Sequence, residues 1–149
     1  MKRSIITAAV GLFLSGAIVT PALAADSEST ASGAIQPRAT YECDSAIGKL
    51  LQSGRSTAAP AYAGSVDCWL DYDVQNYNHG TFMLQYYGLI KGEGFHELDA
   101  DGYYGAATQS AIIKVQHAHA GLAVDGVYGK LTGSVMWWGD YYDSISQWK

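Results

Sequence analysis

The side chains that could do chemistry in this 149-residue chain are few, and most fail on spacing. Four histidines raise a metal site first, with His117 and His119 as the nearest pair. On a helix, positions i and i+2 are about 200° apart, so the two cannot chelate one ion from a regular helix. His96-Glu97 lacks the second histidine of a zinc-protease helix. Asp99-Ala100-Asp101-Gly102 has the start of a calcium loop, but Tyr103 stands where an oxygen ligand is needed and Ser110 where a bidentate Glu belongs. Gly129-Lys130 runs into Leu131, not the hydroxyl residue that a phosphate loop needs for magnesium. Glu93, Glu97, Asp99 and Asp101 gather in one loop, with no segment to hold a sugar ring between two of them. No catalytic residue, metal or cofactor is expected.

A different pattern is repeated. DGYYGAAT at Asp101 to Thr108 and DGVYGKLT at Asp125 to Thr132 share Asp, Gly, Tyr, Gly and Thr at equal offsets, an internal repeat. Asp-Gly permits a turn with positive φ at Gly102 and Gly126, and Asp101 and Asp125 can accept hydrogen bonds from their own turn backbones. Thr108 and Thr132 then fall in the first turn of a following helix. Each unit reads as turn, buried aromatic, helix start.

The run GYYGAATQSAIIKVQHAHAGLAVDGVYGKLTGSV resembles the peptidoglycan-binding-like module of bacterial cell-wall proteins, whose signature is DGxFGxxTxxAVxxFQxxxGLxxDGxxGxxTW. Asp101, Gly102, Gly105, Thr108, Ala111, Gln116, Gly121, Leu122, Asp125, Gly126, Gly129 and Thr132 take matching positions, and Leu84-Gln85 supplies the family's upstream Leu-Gln pair. Val115 replaces a Phe, Gly133 replaces a Trp, Ala120 is an extra residue, and Gly88 falls where a core Leu is usual. The resemblance implies recognition of peptidoglycan, through its glycan strands or its stem peptides, in a shallow groove lined by the turn loops. Tyr103, Gln116, Trp137, Trp138, Asp101 and Asp125 are the ligand-contact candidates, with Gln116 equally suited to bracing a loop. Tyr104 and Tyr128 should pack inward with their hydroxyls at the surface. Trp137, Trp138, Tyr141 and Tyr142 form an aromatic cluster that suits a satellite core or a ligand platform.

The elements that must hold these residues are predicted to be helical. A first helix runs from about Gly80 to Gly88–Gly92, with Phe82, Met83, Tyr86, Tyr87, Leu89 and Ile90 at helical spacings. A second runs from about Ala106 to His119, burying Thr108, Ala111, Ile112 and Val115, and stops at Gly121. A third runs from Lys130 to about Trp138, with Leu131, Val135 and Met136 inward. A short helix is also expected at Asp44 to Gln52, followed by a small-residue loop from Ser56 to Gly64, and Val74 is an early core contact. The expected fold is all-α: a small three-helix domain with two equivalent turns, preceded by a disulfide-linked N-terminal appendage.

Lys2 and Arg3 before an apolar run, Ile5 to Val19, and Ala22-Leu23-Ala24 after it read as a secretory signal peptide. The run is too short and too interrupted for a transmembrane helix. The expected organisation is signal peptide 1–24, flexible linker 25–40, disulfide-containing segment 41–72, peptidoglycan-binding-like domain 73–140 and aromatic tail 141–149. Cleavage after Ala24 removes two cations and takes the formal net charge from −5 to −7. Such acidity argues against nucleic acid and against adhesion to anionic polymers by charge alone; no membrane association is expected after cleavage. Cys43 and Cys68 are the only cysteines, and in an exported chain they read as one disulfide. The function expected is that of a secreted, non-catalytic protein that binds peptidoglycan. A second reading has the same fold as a structural or interaction module, an inhibitor or assembly factor with a protein partner at the wall. A third, a cell-wall hydrolase, lacks acids in a working arrangement.

Overall fold

The computed structural model describes residues 38–72 and 76–149. The expected signal peptide, the expected linker up to residue 37 and Val74 lie outside the described residues. In chain order the elements are β1 (Ser45–Leu50), β2 (Ser56–Ala61), β3 (Trp69–Leu70), α1 (His79–Met83), which continues as a π-helical segment at Leu84–Ile90, α2 (Ala106–Ala118), β4 (Tyr128–Gly129), α3 (Lys130–Val135), β5 (Trp138–Gly139) and β6 (Ile145–Ser146).

The strands make three two-stranded antiparallel sheets, β1 with β2, β3 with β4 and β5 with β6. The all-α expectation is therefore corrected, and the helices do not form a three-helix bundle. The helix expected at Asp44 to Gln52 is β1, and the loop expected at Ser56 to Gly64 contains β2. All six residues of each strand pair, from Ser45 opposite Ala61 to Leu50 opposite Ser56. Three apolar residues in so short a run fit either period, and burial decides: Leu51 is inside while Leu50 faces out. Gly54, at φ +81°, closes the hairpin. Ala59 and Ala61 are fully buried, so the small side chains of β2 are core residues.

The disulfide between Cys43 and Cys68 is formed and both residues are fully buried. Asn78 docks it to the first helix. Its Oδ1 caps α1 by accepting from the Thr81 amide at 3.0 Å, and its Nδ2 donates to the Cys43 carbonyl at 2.7 Å. Beyond α1 the hydrogen bonds lengthen to i→i−5, as from Lys91 N to Tyr86 O at 3.1 Å, so Leu84 and Leu89 come round to the same buried side.

Helix α2 buries Thr108, Ala111, Ile112 and Val115, the face its spacing predicts, together with Gln116. Gly121 follows with φ +91°. Helix α3 ends sooner than expected, because Met136 is extended and Trp138 has entered β5. Leu131 faces solvent and Val135 is only half-buried; of the three residues expected inward, Met136 alone is fully buried.

The C-terminal hairpin completes the core. Trp138 and Trp148 stack at 5.3 Å between centroids, and Trp138 meets Tyr128 edge-on at 6.4 Å. Trp148 also bridges to Leu51, and Lys149 N donates to Leu50 O at 3.0 Å.

Candidate functional site

Two glutamines brace the two repeated turns in the same way. From the π-helical segment, Gln85 Oε1 accepts from Gly102 N at 2.8 Å, and its Nε2 lies within 3.0 Å of Asp101 Oδ1, Tyr103 O and Thr108 Oγ1. From α2, Gln116 Oε1 accepts from Asp125 N at 3.1 Å and Gly126 N at 2.9 Å, while its Nε2 donates to Asp125 Oδ1 at 2.8 Å and Val127 O at 3.0 Å. Each aspartate also closes its own turn, Asp101 Oδ1 accepting from Tyr103 N and Asp125 Oδ1 from Val127 N, both at 2.9 Å. Gly102 and Gly126 have φ of +77° and +72°. An amide side chain accepts two hydrogen bonds and donates two. Gln116 uses all four inside the protein, so it positions the turn and has no capacity left for a ligand.

Tyr104 and Tyr128, the equivalent aromatics, point inward, but their hydroxyls do not reach the surface as expected. Tyr104 donates to the Gly126 carbonyl at 2.9 Å, linking the first unit to the second turn. The Tyr128 hydroxyl is buried and has no hydrogen-bond partner among the described residues. Burial pushes both phenol pKa values well above their ordinary value.

Beside the second turn lies a cleft of about 480 Å³. One wall is the turn and its flanks, from Gln116 and Leu122 through Asp125 to Lys130 and Thr132; the other is Arg38, Ala39 and Asp67–Trp69. Sheet β3–β4 holds the walls together, with Trp69 opposite Gly129 and Leu70 opposite Tyr128. Trp69 is fixed on its other side by hydrogen bonds from Cys43 N to Trp69 O and from Trp69 N to Tyr41 O. The Arg38 guanidinium lies 3.6 Å from the centroid of the Trp69 ring and is ion-paired with Asp71.

Of the six contact candidates, the structure brings only Gln116 and Asp125 to this cleft. Asp101 and Tyr103 lie at the first turn, where half-exposed Tyr103 meets Tyr77 edge-on at 6.3 Å. Trp137 is half-exposed beside Glu93, whose Oε1 accepts from the Trp137 amide at 2.7 Å. Burial raises the Glu93 pKa against that hydrogen bond. Trp138 is fully buried, its indole donating to the Gly133 carbonyl at 2.8 Å. Of the four clustered aromatics, Tyr141 and Tyr142 stand out at the hairpin tip. Among the described residues no group of three or more His, Cys, Asp or Glu gathers as a metal site would require.

The repeat, its two bracing glutamines and its two turns fall within one recognisable unit. Residues 83–136 match the family model described as "Putative peptidoglycan binding domain". The match supports a peptidoglycan-binding-like module over a little more than a third of the chain, from the end of α1 to the end of α3. No curated protein and no solved structure matches the chain. The module supplies one wall of the cleft; Arg38, Asp67 and Trp69 of the other wall lie outside the match. Sequence reasoning missed those three residues and Lys130, because a pairing of two-residue strands 58 and 60 positions apart leaves no local periodicity.

Proposed function

We propose that the protein is a secreted, non-catalytic binder of bacterial peptidoglycan, and that the cleft beside the second turn is where the polymer is held. The observation that carries this reading is the position of the cleft: it opens on the Gln116-braced turn of the family-matched module and is walled on the far side by the disulfide segment. Export is supported by the signal-like N-terminal sequence and by the buried disulfide, which persists in oxidising compartments. The non-catalytic reading is supported by Asp101 and Asp125, whose Oδ1 atoms are committed to their own turns and bracing glutamines.

The test is sedimentation of the purified protein with insoluble peptidoglycan stripped of teichoic acid, followed by chromatography of the supernatant. The expected result is protein in the pellet and no soluble fragments released. Protein left in the supernatant would refute binding, and released muropeptides would make it a hydrolase.

A further inference from the structure

We propose that the cleft takes the peptide part of the polymer, a short chain bearing free carboxylates and an amine, and not the neutral glycan strand; this rests on the peptidoglycan-binding reading above. A sugar ring is held against an open aromatic face, and neither aromatic residue of the cleft offers one. The Trp69 ring is covered by the Arg38 guanidinium at 3.6 Å and packs against the core, and Tyr128 is 0% exposed.

What the cleft does present is charge of both signs. Arg38 and Lys130 line it with Asp67 and Asp125. Asp71 orients Arg38 across the Trp69 ring. Lys130 and Asp67 form no ion pair among the described residues. Asp125 gives Oδ1 to its turn, while its Oδ2 accepts no hydrogen bond among the described residues. A ligand carrying carboxylates and an ammonium group can engage both sets, whereas an uncharged saccharide engages neither as an ion. Opposed charges also set direction, since a peptide entering the wrong way round meets like charge. Contacts of this kind at a solvated cleft are screened by salt.

The experiment is competition for the sedimented complex, using two soluble probes: a synthetic stem peptide with free carboxylates and amine, and an N-acetylglucosamine oligomer. The peptide is expected to displace the protein and the oligomer is not. Lys130→Gln and Asp67→Asn should each weaken binding about two- to five-fold, the range for exposed charge pairs, with a smaller effect at high ionic strength. Lys114→Gln, outside the cleft, should bind as wild type. Displacement by the saccharide and not the peptide would overturn the proposal while leaving peptidoglycan binding intact, as would folded Lys130 and Asp67 variants that bind unchanged. Failure of the wild-type protein to sediment would overturn the peptidoglycan reading itself, and the proposal with it.

Discussion

Gly88 and Trp138 are complementary: a Cβ on residue 88 would lie 3.1 Å from Cζ3 of the Trp138 indole. The same holds for Gly133 and Trp148, where a Cβ would lie 2.5 Å from Cη2. These glycines stand where the resembling family carries a Leu and a Trp, and the two tryptophans of the C-terminal hairpin fill the space instead. The hairpin is thus part of the core. Trp138→Ala should cost about 3–5 kcal/mol, as for a large buried aromatic. Gly88→Leu should also destabilise, by overpacking. In the double variant the leucine partly refills the cavity, so denaturant titration should show a loss smaller than the sum of the singles.

The bracing glutamines make a second prediction. Gln116→Ala strips hydrogen bonds from the amides of Asp125 and Gly126, and the latter is buried. The expected loss is about 1–3 kcal/mol. Gln116→Glu keeps the acceptor but sets a carboxylate against Asp125 Oδ1 and the Val127 carbonyl, and it should be destabilised at neutral pH and partly recovered on acidification. Equal stability of the two variants across pH would contradict the bracing role.

The buried tyrosines separate in the same assay. Tyr104→Phe loses its bond to the Gly126 carbonyl and should cost about 1 kcal/mol. Tyr128→Phe removes a buried hydroxyl with no partner among the described residues and should be neutral or stabilising. A larger loss for Tyr128→Phe than for Tyr104→Phe would contradict the packing described.

Two carboxyl groups give stability opposite slopes with pH. Burial raises the Glu93 pKa above 4.5, so the native state holds that proton longer than the unfolded chain and stability falls as pH rises from 4.5 through the raised value. For Asp140, burial acts upward, but it is outweighed by hydrogen bonds from the Ser144 and Tyr142 amides and by Arg55 and Lys91. Its pKa is held below 3.8, and its contribution is present above 3.8 and lost as pH falls through the lowered value. Thermal unfolding against pH should lose the first slope in Glu93→Gln and the second in Asp140→Asn.

Much of the module was legible because its signals are local. The face of α2 follows from apolar spacing, and the turns follow from Asp-Gly pairs. The equivalence of Gln85 and Gln116 was hidden, because the turns repeat at 24 residues while the glutamines stand 31 apart. The difference lies in the connection to each turn, 15 residues between Gln85 and Asp101 against 8 between Gln116 and Asp125, so no single period carries both. The sheets were illegible for another reason. Strands β3 and β4 have two residues each, too few to show alternation, and β2 is built largely of alanine, whose burial comes from the neighbours and not from its own hydrophobicity. The charged cleft is a product of that pairing, so it could not be read before the fold was known.

The most direct test of the cleft as the binding site is chemical-shift mapping of the isotope-labelled protein during titration with soluble muropeptides. With the ligand in the cleft, the Trp69 indole N–H and the amides of Asp67, Val127, Gly129 and Lys130 are expected to shift together and saturate, while Tyr77 and Tyr103 at the first turn and Tyr141 and Tyr142 at the hairpin tip stay in place. Shifts confined to those exposed aromatics, or none at all, would contradict it.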